Sequence, residues 1–180
     1  EDVPVVDDVL VLVDDVVVVD DDVVVVVVLL LDDGTPIAHT HAAKALARIA
    51  IAHPDNQAQI SKHCVALLGN ESTGTQQRAA RVLQQLAQHN PGSPVVIVNA
   101  GAISPLVTLL SSGAPEVKEE AAAALSTLAF NSPSNHKALL ELGAPEALAA
   151  PLLTPFTTTS PARHLQCMLS NPGMVWDGMC

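Results

Sequence analysis

Three groups of side chains in this sequence have the types that do chemistry. His39, His41 and His53 are metal-ligand types, His63 and Cys64 put a base beside a nucleophile, and Glu116, Glu119 and Glu120 gather carboxylates. Their spacing argues against each use. Residues two apart on a helix project about 200° from one another, so one zinc ion cannot take both His39 and His41 without breaking the helix. Sequence neighbours such as His63 and Cys64 seldom face each other, and no third group orients the imidazole. A half-buried Cys64 in a packed helix is the expectation. The three glutamates fall in the first turns of a helix, where acids offset the macrodipole. The sequence has no Gly-x-Gly-x-x-Gly, phosphate loop, His-Glu-x-x-His or nucleophile elbow. The expectation is therefore a protein that is not an enzyme, with no catalytic residues, no metal ligands and no cofactor.

The elements that would position any site come from two unlike pieces of chain. Residues 1–33 hold eleven acids and no Lys or Arg. The 19 acids of the whole chain less these eleven leave eight, against eight Lys and Arg, so the remainder is close to neutral. The net charge of −11 belongs to the first segment alone. From Val5 to Asp33 every residue is Val, Asp or Leu. Valine's restricted χ1 disfavours helix, so these runs favour extended structure. The segment reads as an artefactual stretch, with an acidic–hydrophobic tail as the alternative, and no function is drawn from it.

The remainder is rich in Ala and Leu and nearly free of aromatics, with Phe130, Phe156 and Trp176 and no Tyr. Nucleic-acid binders show a basic stripe and stacking rings; both are missing, so no nucleic-acid partner is expected. Cys64, Cys167 and Cys180 are few, odd in number and scattered, which predicts a reducing compartment and no disulfide framework. The opening residues show no basic stretch of the secretory type. The longest apolar run, Val23 to Leu31, falls well short of the roughly 18 residues of a membrane span. An intracellular setting is expected, cytoplasmic or nuclear.

From Thr35 onward the punctuation is helical. Thr35–Pro36 reads as an N-cap followed by proline at the first helical position. Ala38, Ala42, Ala45, Leu46, Ile49 and Ala50 then recur at helical spacing up to His53–Pro54. Thr75 opens a second such run, with Ala79, Ala80, Val82, Leu83, Leu86 and Ala87, closing at Asn90–Pro91. Pro115 opens a third, with Ala121, Ala122, Leu125, Leu128 and Ala129, closing at Ser132–Pro133. Leu83 and Leu125, Pro91 and Pro133, and Gly101 and Gly143 are each 42 residues apart. Leu46 and Leu83, like Pro54 and Pro91, are 37 apart. A helical period near 40 marks a stacked repeat array, in which neighbours bury the stripe that one repeat cannot bury alone.

Three helices can be read within a unit. Asn135 to Leu142 is a first short helix ended by Gly143 as a left-handed cap, and Gly101 ends its counterpart one repeat earlier. Ile103 to Leu110 is the second helix, stopped by Ser111–Gly113, and Pro115 to Phe130 is the long third. The stretches NAGAISPLVTLLSSG (Asn99 to Gly113) and PEVKEEAAAALSTLA (Pro115 to Ala129) strongly resemble the armadillo repeat. The resemblance covers residues 35–153 and is greatest to plant, algal and vacuolar armadillo proteins. It implies an all-α fold, a right-handed α-solenoid of about three repeats across residues 34–153. It also implies a scaffold that binds other proteins, with extended segments lying along a concave groove lined by third helices.

Importin-type members of that family place a Trp and an Asn four residues apart on each third helix. The matching positions here are Lys44 and Arg48, Arg81 and Gln85, and Ala123 and Thr127. No Trp–Asn ladder stands there, and three cations do. Lys44 and Arg48 share a helix face, and Arg81 lies one repeat on, so the stripe favours acidic extended segments through charge complementarity. The likeness leaves two further readings: a substrate-recognition array of a U-box-type ubiquitin ligase, and a membrane-attached adaptor of the vacuolar type.

One unit departs from the pattern. Asn56 and Leu67 are 11 steps apart, against 17 between Asn135 and Leu152, and the Gly-Ala-Ile corner is missing. Either its first two helices are fused through residues 60–68, or residues have been lost from the reading frame. Fusion predicts local irregularity of the superhelix. Residues 154–180 are Thr/Pro-rich and read as disordered or as one short helix carrying Leu165, Met168 and Leu169 that caps the array.

Overall fold

The computed structural model describes residues 35–145 except His53, Asn90, Pro91 and Asn131, together with Val27, Leu31 and residues 161–170. In chain order the helices are α1 (Pro36–Ala52), α2 (Pro54–Leu68), α3 (Thr73–His89), α4 (Ser93–Asn99), α5 (Ile103–Ser112), α6 (Pro115–Ala129), α7 (Pro133–Glu141) and α8 (Pro161–Ser170). No strand occurs among the described residues. The fold is an all-α solenoid.

Proline sets many of the helix starts, because its fixed φ suits the first turn and its missing N–H would be unpaired there in any case. α1, α2, α6, α7 and α8 all begin at proline. The Thr35 hydroxyl caps α1 by accepting from the Ala38 N–H at 3.2 Å. Ser132 caps α7 by accepting from Asn135 N–H at 3.4 Å. α3 starts two residues before the expected Thr75, because Ser72 supplies the cap to the Thr75 N–H. That frees Thr75 to be buried inside the helix's first turn.

The period seen in the sequence returns as a period in burial. Leu46, Leu83 and Leu125 are fully buried, and so are Ile60, Ile97 and Leu139, with the same steps of 37 and 42. These two columns run through one continuous core. Around it the long helices form a ladder: α3 packs on α1, α6 on α3, and α8 on α6, with α3–α6 the most extensive of the helix pairs. Moving α6 forward by 42 lands on residues 157–171, which contain α8. Leu165 and Leu169 of α8 are buried, and Met168 packs against the core. The His136 imidazole also reaches the Met168 carbonyl with Nε2 at 2.7 Å, tying α7 to the last turn of α8.

The regular unit bends by 78° between α4 and α5. Gly101 makes that corner at φ +85°, and Gly143 repeats it after α7 at φ +76°. A side chain at such angles crowds the following carbonyl, which is why glycine holds both places. The unit before it has no such corner, and α2 runs as one helix through residues 54–68. The fused alternative is the one adopted.

The same polar device closes two of the long helices. Asn135 Nδ2 donates to the Leu128 carbonyl at 2.7 Å, and Gln57 Nε2 donates to the Ala50 carbonyl at 2.8 Å. Each reaches seven residues back to a carbonyl near the end of the preceding helix, where backbone acceptors lack helical partners. Ser93 occupies the Asn135 position one repeat earlier, and its hydroxyl donates to Gln57 Oε1 at 3.0 Å.

Two expectations are corrected. Val27 and Leu31 are helical and fully buried in the shared core, so tertiary burial overrides valine's extended preference there. Cys167 is disulfide-bonded, where the scattered cysteines predict no disulfide framework. The rest of residues 1–33, and residues 154–160 and 171–180, lie outside the described residues.

Candidate partner-binding face

On α3, Ala79, Ala80, Val82, Leu83 and Leu86 are buried. Gln77, Arg81, Gln84, Gln85 and Gln88 remain partly or fully exposed, and they recur at three- and four-residue steps along one stripe. On α6 the corresponding stripe runs through Glu116, Glu120 and Thr127, with Ala123 between them and the exposed Phe130 just past the helix end. Adjacent long helices thus present neighbouring polar rows.

The expected site residues fare differently. Lys44 and Arg48 stand four apart on α1, but their side chains lie outside the described residues. Arg81 is the cation whose position is described on this face; its side chain is 54% exposed. Gln85 is half-buried on the same stripe. Ala123 is buried, so it offers little exposed surface to a partner. Thr127 is half-buried, and its hydroxyl donates back to the Ala123 carbonyl at 2.9 Å.

Sequence reasoning missed Glu120 as a member of this face. Its carboxylate pairs with Arg81 across the α3–α6 boundary: Nε donates to Oε1 at 3.0 Å, and Nη2 converges on the same oxygen. That hydrogen bond, opposed by burial and reinforced by the carboxylate charge, raises the Arg81 pKa above its already high value. The signal was in the spacing. Arg81 advanced by 42 is Ala123, and one helical turn before Ala123 is Glu120. The neighbouring Arg78 is spent internally; its Nε donates to the Leu31 carbonyl and Nη2 to Thr75 Oγ1.

The groups of catalytic type are placed as follows. Cys64 is fully rather than half-buried on α2, and burial pushes its thiol up to about 12, so it holds no thiolate at neutral pH. His39 is held below its usual range, first by burial and then by the charge of Arg78. His53 lies outside the described residues. Among the described residues no three His, Cys, Asp or Glu side chains gather as a metal site. Glu116 does occupy the first turn of α6, as a helix-dipole role requires. No single described helix is long and apolar enough to cross a membrane.

Comparison with known proteins gives one consistent answer. The family model for the Armadillo/beta-catenin-like repeat matches residues 90–130, which span α4 to α6. Armadillo repeat-containing protein 3 of Homo sapiens is 36% identical over 111 residues, covering 59% of this chain. The chain spans only 12% of that relative's length. A designed armadillo repeat protein is 28% identical, with a TM-score of 0.61 over 80% of this chain and 62% of its own. A second designed armadillo repeat protein, in complex with peptide (KR)4, has a TM-score of 0.60 at 22% identity and covers 89% of this chain and 72% of its own. Such arrays are typically protein-binding scaffolds. With its period near 40, its short–short–long helix order and its glycine corners, the chain is an α-solenoid of armadillo-type repeats, similar to these proteins across residues 90–130 and beyond.

Proposed function

We propose that this chain is a non-catalytic protein-interaction scaffold that takes an extended acidic segment along the groove of its third helices α1, α3 and α6. One observation carries the reading: Arg81 stands exposed in a row of glutamines on α3, in register with the next long helix. Glutamine amides suit the backbone groups of an extended peptide, since each offers both donor and acceptor. The guanidinium suits a carboxylate, to which it presents the donors not engaged by Glu120. Lys44 and Arg48 on α1 extend the same sign of charge by one repeat.

The designed neighbour bound to (KR)4 holds a basic peptide. Here the α3 row carries a cation, Arg81, so the expected ligand has the opposite sign to that peptide. The test is binding of a labelled, extended Asp/Glu-rich peptide, read by fluorescence polarisation, with a neutral peptide as control. The triple variant K44E/R48E/R81E should lose about tenfold or more in affinity at low salt, with a smaller difference at high salt. Helical circular dichroism should be unchanged. Equal binding by the two forms rejects the reading.

A further inference from the structure

We infer that Glu120 is a built-in competitor for the ligand carboxylate at Arg81, and that it sets how acidic a segment this repeat accepts. This inference rests on the reading of the third-helix face as the ligand groove.

The two residues belong to different repeats. Arg81 projects from α3 and Glu120 from α6, 39 positions on. Their burial is unequal: the Arg81 side chain is 54% exposed and Glu120 only 13%. Glu120 is therefore fixed within the wall, while the guanidinium stands at its surface. Two of the guanidinium donors, Nε and Nη2, converge on one oxygen, Glu120 Oε1. These form one edge of the planar fork that a carboxylate would engage with two parallel bonds. A ligand carboxylate must either displace Glu120 from that edge or settle for the remaining donors of Nη1 and Nη2. In the second case it engages the guanidinium through the donors that Glu120 leaves, and so gains less from Arg81 than the whole fork would give.

The device has a direction. Beside Glu120, Arg81 holds an acidic ligand residue less tightly than an unengaged guanidinium would, which narrows its preference over Asn, Gln or a backbone carbonyl. Removing the Glu120 charge should shift the preference toward Asp and Glu. The arrangement also differs from a simple structural ion pair. A purely structural pair would make Glu120 stabilise the α3–α6 contact and leave ligand choice untouched.

The experiment is a double-mutant cycle on the Asp/Glu-rich peptide and on its Asn/Gln counterpart of equal length. The forms compared are wild type, E120Q, R81Q and the double variant. E120Q keeps an oxygen acceptor for Arg81 and deletes only the charge. It should tighten the acidic peptide by about three- to fivefold at low salt, the range expected for an exposed pair. It should leave the Asn/Gln peptide nearly unchanged. In the R81Q background the E120Q gain should largely vanish. R81K is the parallel variant that keeps the charge but loses the fork, and it should show a smaller E120Q gain.

Thermal melts monitored at the helical circular dichroism band show that each form is folded. Equal acidic-peptide affinity in wild type and E120Q, with R81Q still weakened, overturns the competitor role and leaves the groove reading standing. Weaker binding by E120Q also overturns it, because Glu120 would then be holding Arg81 in its binding pose. An E120Q gain that persists undiminished in R81Q overturns it as well, because the effect would not pass through Arg81. Absence of binding in every form overturns the groove reading and this inference together.

Discussion

Two successive units of this chain solve the same packing problem with different amounts of backbone. In residues 54–89 one helix, α2, precedes the long α3. In residues 93–129 two helices, α4 and α5, turn through 78° at Gly101 before the long α6. From Ile97 to Leu110 is 13 steps, whereas from Ile60 to Leu68 is 8, yet all four side chains are buried. The shorter unit keeps both Ile60 and Leu68 in the core because eight steps along one helix make a little over two turns and stay within the width of one apolar face. Core register is held through either path. The corner is a separate feature, one that sets how the chain travels between columns.

The most damaging test of this comparison is truncation within a column. Leu125→Ala removes a fully buried side chain from α6 and should cost about 2–5 kcal/mol, as buried leucine truncations do. Leu83→Ala, one repeat earlier, should fall in the same range, since its column is equally closed. Urea unfolding followed by circular dichroism reads both. A near-neutral Leu83→Ala would mean that the shortened unit is not truly joined to the core.

The amide devices give a smaller effect. Asn135→Ala strands the buried Leu128 carbonyl and should cost about 1–3 kcal/mol. Gln57→Ala strands the Ala50 carbonyl and also removes the acceptor of the Ser93 hydroxyl. It should cost at least as much as Asn135→Ala. The reverse order in the same urea titration would show that the hydrogen bonds of the shorter unit are the weaker ones.

The corner itself gives the smallest effect. Gly101→Ala meets no atom within 4 Å, so its cost is backbone strain alone, about 1–2 kcal/mol. Gly69 follows α2 in the shorter unit without a positive φ, and an added Cβ there would make ordinary contact at 3.5 Å with the Ala66 carbonyl. Gly69→Ala should therefore be neutral or stabilise by up to about 1 kcal/mol. Melting temperatures of the two variants provide the check. Equal shifts in both would remove the distinction between the units.

Much of this architecture was legible in the residues. The prolines at helix starts, the Thr35 cap and the glycine corners each have a local cause, and local causes act within a few positions of chain. The period of 42 was legible because stacking repeats a burial requirement at fixed intervals. Three things were not. Val27 and Leu31 enter the core as helix because docking outweighs a local preference of a few tenths of a kcal/mol. Gln57 rather than Asn56 reaches the preceding helix, a choice between neighbours that helix phase alone decides. The Arg81–Glu120 pair depends on how two long helices slide along each other, and sequence spacing gives that only to within a turn. Reading each third helix separately made the face look basic at Arg81; reading α3 and α6 together shows a cation already facing an anion.

Cys64 has a consequence of another kind. It sits inside α2, the helix that spans the missing corner, fully buried and with its thiol pushed up to about 12. A thiol reagent can reach it only while that helix is open. Its rate of labelling is therefore a clock for the opening of the shortened unit, built into the chain without any added probe.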